Sequence, residues 1–65
     1  MKHYSSRELL KILKADGWYE INCVGDHHQL KHPTKKGKVT ITHPVKDVPE
    51  GTARSILKQA GLPIR

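Results

Sequence analysis

The sequence is short of the residues that small domains usually lean on, with a single cysteine, Cys23, and three aromatics, Tyr4, Trp18 and Tyr19. One thiol cannot build an intramolecular disulfide framework, so the fold must rest on its core. No stretch approaches the roughly 18 uninterrupted apolar residues of a membrane span. The opening residues Met1-Lys2-His3-Tyr4-Ser5 also lack the apolar run of a signal peptide. A cytoplasmic protein with no membrane partner is expected. Acidic groups are scarce as well: 6 Asp+Glu stand against 12 Lys+Arg, for a formal charge of +6. The 65 residues predict one domain over 1–65 with a radius of gyration of about 11 Å. That is too small to enclose a large cofactor or a deep pocket, so any chemistry has to occur at the surface. The apolar fraction of 35% is low but patterned, which points to a folded chain rather than a disordered one.

Between Ser5 and Asp16 the apolar residues Leu9, Leu10, Ile12, Leu13 and Ala15 recur at steps of three and four, opposite Arg7, Glu8, Lys11 and Lys14. This is the period of an amphipathic helix. Ser5 and Glu8 have the spacing of a capping box, and Gly17 can adopt the left-handed conformation that ends a helix. The period then changes to two, with Tyr19, Ile21 and Cys23 on one parity and Glu20 and Asn22 on the other, up to a Gly25-Asp26 turn. Further strands are expected over His27–His32 and Lys38–His43, separated by the Thr34-Lys35-Lys36-Gly37 turn. If Leu30, Val39 and Ile41 face the core, then His27, Gln29, Lys31, Lys38, Thr40 and Thr42 face outward, and His28 and His32 fall on the Leu30 side. After a loop bracketed by Pro44 and Pro49, a second helix is expected with Thr52 as N-cap, a stripe of Ala53, Ile56, Leu57 and Ala60, and Gly61 beyond its end. Both helices need the apolar face of one sheet. The expected fold is therefore a two-layer α+β domain of the double-stranded-RNA-binding type, in the order α-β-β-β-α, with an antiparallel three-stranded sheet carrying two helices on one face.

From His27 to Lys46 there are five lysines, four histidines and no acidic residue. Such a patch suits a surface that approaches phosphates, although lysines also serve to keep a hairpin edge soluble. The histidines admit three readings. Cys23, His27, His28 and His32 are metal-ligating types, but adjacent strand residues point to opposite faces and no Cys-x-x-Cys is present, so no metal is expected. They can also be incidental polar strand residues. The third reading makes one of them a general acid or base, because imidazole exchanges protons at neutral pH. RNA carries its own nucleophile, the 2′-hydroxyl; cleavage then needs a base, an acid for the leaving 5′-oxygen and cations for the developing charge. Cys23 offers little as a catalytic thiol, since no residue adjacent in the strand would activate it. Trp18 reads as a core or interface residue rather than a base-stacking platform.

The runs Asp16-Gly17-Trp18-Tyr19, Gly25-Asp26-His27-His28-Gln29-Leu30-Lys31-His32-Pro33, Val39-Thr40-Ile41-Thr42-His43-Pro44 and Pro49-Glu50-Gly51-Thr52-Ala53-Arg54-Ser55-Ile56-Leu57-Lys58-Gln59-Ala60-Gly61-Leu62 together resemble the HicA (YcfA-like) family of toxins. The resemblance spans nearly the whole chain. It implies an mRNA interferase, an endoribonuclease that cleaves mRNA without a cofactor and is neutralised by a HicB antitoxin covering its active site. The family's Gly-Ser-His pattern carries over onto Gly25-Asp26-His27, which makes His27 the expected catalytic residue and His28 the second choice. Asp26 replaces the usual serine, and a carboxylate there would favour imidazolium while repelling phosphate. Lys31, Lys35, Lys36 and Lys38, with Gln29, are expected to hold the RNA backbone. Gly25 would let that backbone approach closely. Two other functions fit the same patch: a non-catalytic RNA-binding module, and a docking domain for an acidic protein.

Overall fold

The computed structural model describes residues 4–63. Residues 1–3, on which part of the reading of the N-terminus rests, lie outside them. The elements are α1 (Ser6–Ala15), β1 (Tyr19–Val24), β2 (His27–Lys31), β3 (Lys38–Thr42) and α2 (Glu50–Gln59). The strands form one antiparallel sheet in the order β1-β2-β3. The expected α+β architecture is the one observed, and the radius of gyration is 10.8 Å.

Local chemistry explains where the helices begin and end. Ser5 Oγ accepts from the Glu8 amide at 3.1 Å, and Glu8 Oε1 accepts from the Ser5 amide at 3.1 Å, completing the capping box at the start of α1. Both helices close alike. The Trp18 amide donates to the Leu13 carbonyl at 3.0 Å and that of Gly17 to Lys14 at 3.1 Å; Leu62 and Gly61 repeat the pattern on Leu57 and Lys58. One expected boundary is corrected. The N-cap of α2 is Pro49 rather than Thr52, because the Ala53 amide already reaches the Pro49 carbonyl at 2.9 Å, placing Thr52 inside the first turn.

The core sits between the helices and the inner face of β2 and β3. Leu30, Val39 and Ile41 meet Leu9, Leu10 and Leu13 of α1 and Ala53, Ile56, Leu57 and Ala60 around α2, with Trp18 filling the space between layers. Ala15, read as part of the apolar stripe of α1, is exposed because its side of the last turn overlooks no partner. The whole of β1 is exposed. A bulge between Glu20 and Asn22 breaks its alternation: Glu20 pairs with Leu30, Asn22 with Gln29 and Cys23 with His28. The extra residue therefore moves Cys23 onto the face of Glu20, away from that of Tyr19, contrary to simple period-two parity.

Candidate active site

The outward parity expected for β2 and β3 holds. Across the open face, Val24, His27 and Thr42 form one row, Asn22, Gln29 and Thr40 the next, and Tyr19, Lys31 and Lys38 the last. His27 is exposed at the end of β2 beside the Gly25-Asp26 turn, where Gly25 has φ of +58°. Among the described residues no hydrogen bond or ion pair joins His27 to Asp26, whose backbone carbonyl accepts from the His43 amide at 2.8 Å. Lys31 and Lys38 stand directly opposite each other with no carboxylate against either among the described residues. Like charges opposed in this way disfavour the sheet, and an anion laid over them would relieve the repulsion. The lysine row lies four residues along β2 from His27, about 13 Å at about 3.3 Å per residue. One bound phosphate therefore cannot meet both the lysine row and His27. Lys36, in the loop before β3, is exposed as well.

Lys35 belongs elsewhere. Its ammonium donates to the Asp16 carboxylate at 2.5 Å and to the Ala60 carbonyl at 2.9 Å, joining the C-terminal ends of α1 and α2. A cation is favourable at both places, since helix C-termini carry unsatisfied carbonyls and partial negative charge. His32 is structural too. Its Nδ1 accepts from the amides of Thr34 and Lys35, both at 3.1 Å, so the proton sits on Nε2, which donates to the Asp16 carbonyl at 2.8 Å. A Cβ on Gly17, at φ of +106°, would lie 2.9 Å from that Nε2, which reserves the position for glycine.

The hydrogen bond from Lys35 holds the Asp16 carboxyl below the ordinary aspartate range. A carboxyl depressed on folding stabilises the protein above its unfolded pKa of about 3.9 and loses that contribution as pH falls through the lower, folded value. The melting temperature of the parent protein is therefore expected to exceed that of an Asp16→Asn variant near neutral pH, with the gap closing below about pH 4. Thermal melts across an acid pH series check this. A gap that persists unchanged into strong acid would remove the ion pair from the account of stability.

On the inner side of the sheet, beyond the core, the structure assembles a second group of polar residues. His28 Nδ1 lies 2.8 Å from Glu20 Oε1 and its Nε2 lies 3.7 Å from Cys23 Sγ. The His28 hydrogen bond holds the Glu20 carboxyl below its usual range. The His28 ring also meets His43 edge to face, with centroids 5.3 Å apart. His43 Nδ1 is 2.7 Å from Ser6 Oγ, and its ring lines a shallow recess with Arg7, Leu10, Lys11 and Lys14. Neither His43 nor Glu20 stands out in the sequence. The only trace of the arrangement there is that Arg7, Lys11 and Lys14 share a helix face by their spacing of four and three. The proximity of His28 to Cys23, across the β1–β2 pair, is likewise not legible from the residues next to Cys23 in the chain.

The architecture and these residues define a small basic α+β domain with one free imidazole on an open sheet face and a second, oriented imidazole behind it. Residues 6–62 match the family model described as HicA toxin of bacterial toxin-antitoxin, and the chain belongs to that family. It is thus the toxin of a toxin–antitoxin system and has an antitoxin as partner. No curated protein matches the chain. No helix among the described residues is long and apolar enough to cross a membrane.

Proposed function

We propose that this toxin is an endoribonuclease that cleaves mRNA by acid/base catalysis, with His27 as the catalytic residue and a HicB-type antitoxin covering the same face. The observation that carries the reading is the position of His27: an imidazole with no partner among the described residues, at the end of an open face whose other end carries two opposed lysines. His27 takes the proton from a ribose 2′-hydroxyl, the oxygen attacks the adjacent phosphorus, and the 5′-oxygen leaves as it gains a proton. The products are a 2′,3′-cyclic phosphate and a 5′-hydroxyl. Gln29, Asn22 and the threonine hydroxyls of the nearer rows are the groups within reach of the charged oxygens. Lys31, Lys38 and Lys36 hold the flanking backbone, and Gly25 lets it approach the turn.

Incubating the purified toxin with a long single-stranded RNA in the presence of EDTA tests this reading. Scission with those ends, and none of a DNA strand of the same sequence, is expected; salt-sensitive binding without scission would instead mark a non-catalytic RNA-binding module. Replacing Lys31 and Lys38 together by alanine is expected to weaken RNA binding and to lower its salt slope by about 0.7 for each phosphate no longer neutralised. The same change at Lys35 should act through stability. Equal RNA affinity after the Lys31 and Lys38 changes would move the RNA off this face.

One observation favours a second assignment within the same activity. His28 is held by Glu20, as a catalytic base is held by an orienting carboxylate, and His43 with the Arg7, Lys11 and Lys14 stripe lies next to it. His27 and His28 face opposite sides of the sheet, so one phosphate cannot meet both. Single substitutions therefore separate them.

A further inference from the structure

We propose that Cys23 and His28 form a binding site for a thiophilic divalent metal ion, zinc being the natural candidate, with Glu20 supporting it from behind. The site does not depend on the ribonuclease reading, and its test does not measure RNA cleavage.

The proton inventory of the cluster fixes the direction of each group. Glu20 is a carboxylate and can only accept, so His28 Nδ1, 2.8 Å away, carries the ring proton. In the neutral ring the lone pair then belongs to His28 Nε2, which lies 3.7 Å from Cys23 Sγ. A zinc ion bound at about 2.3 Å by sulfur and about 2.0–2.1 Å by nitrogen, with a tetrahedral angle between them, holds those two atoms about 3.5 Å apart. The observed separation already lies close to that value. The thiol, whose Sγ also lies 3.4 Å from the Gly25 carbonyl, would lose H⁺ to solvent as a metal–sulfur bond forms, and no electron transfer occurs.

Glu20 occupies the position that metal-binding histidines commonly fill with a carboxylate. A ring N–H donated to such an oxygen fixes the tautomer, holds the ring plane and makes the opposite nitrogen a better ligand. Cys23 is exposed at the sheet edge, so the ion has access and its remaining positions are open to water. Two protein ligands make a weak site compared with a closed four-ligand one. A thiolate and an imidazole select zinc, cobalt or other borderline and soft ions over magnesium and calcium, which prefer oxygen. The bulge in β1 is the device that creates the cluster, because it is what brings Glu20 and Cys23 to the same face as His28. Bound metal would tie the exposed edge strand to β2 across the bulge while leaving His27, on the other face, untouched.

The test is a titration of the reduced full-length protein with Co²⁺, kept reduced by a phosphine that does not chelate, and read by near-ultraviolet absorption. A thiolate-to-cobalt charge-transfer band is expected to grow to one equivalent and to be displaced by Zn²⁺ but not by Mg²⁺. Cys23→Ser should abolish the band. His28→Gln should weaken binding by at least tenfold, and Glu20→Gln by about 10- to 100-fold. Far-ultraviolet circular dichroism of each variant checks that it is folded. Absence of the band in the folded parent protein overturns the proposal. So does a band whose affinity is the same in the parent, His28→Gln and Glu20→Gln, because the metal would then be held by the thiol alone.

Discussion

Replacing His27 by alanine is expected to slow RNA scission by about 10²- to 10⁴-fold, the range of a single positioned acid or base, while thermal stability stays within about 0.5 kcal/mol of the parent. His27 is exposed, forms no hydrogen bond among the described residues and contributes nothing to the core, so its removal leaves no cavity and no orphaned polar group. His28→Ala is the necessary comparison, because that ring is mostly covered, with 18% side-chain exposure, and holds Glu20. If scission fails with His27→Ala and survives with His28→Ala, catalysis belongs to the open face. The opposite pattern would transfer it to the recess that His43 shares with Arg7, Lys11 and Lys14. Loss of activity with His27→Ala accompanied by a large fall in melting temperature would make the residue structural.

The other large effect is expected at Trp18. Its side chain is 2% exposed, touches His32 edge to face and fills the space where the layers meet. Truncation to alanine removes the largest fully buried side chain, which costs about 3–5 kcal/mol for a buried tryptophan. A domain of 65 residues has roughly 3–10 kcal/mol of stability in all. Trp18→Ala is therefore expected to be largely unfolded or to melt far below the parent, as urea or thermal denaturation would show. Tyr19→Ala, one position along, should change stability by no more than about 0.5 kcal/mol, since that ring lies on the outer face of an edge strand. Similar melting of the two variants would mean that the layers do not meet at Trp18.

Much of the fold is written in local chemistry. The Ser5–Glu8 box, the glycines at 17 and 61, the turn at Gly25-Asp26 and, apart from the exposed Ala15, the three-and-four stripes of both helices each act within a few residues, and each is observed where local rules place it. The outward parity of His27, Gln29 and Lys31 is also correct, because Leu30, Val39 and Ile41 can enter the core in only one register. The start of α2 departs from the expected position for an equally local reason. Thr52 is the better capping side chain, but a backbone carbonyl at Pro49 suffices to begin the helix.

The sequence by itself determined the element order, the two-layer α+β architecture, the basic open face and the membership of a toxin family, because periodicity, capping and motif spacing all act over short stretches of chain. Only the tertiary structure decided what individual polar residues do. Lys35 counts with the other lysines as charge, yet it joins two helix ends that are brought together only by packing. His32 resembles its neighbours in composition but spends both ring nitrogens inside the fold. Glu20, Cys23 and His28 meet because one inserted residue in β1 reverses a parity that alternation alone would have kept. Side-chain partners across a sheet depend on register, and register is set by long-range packing rather than by the residues on either side.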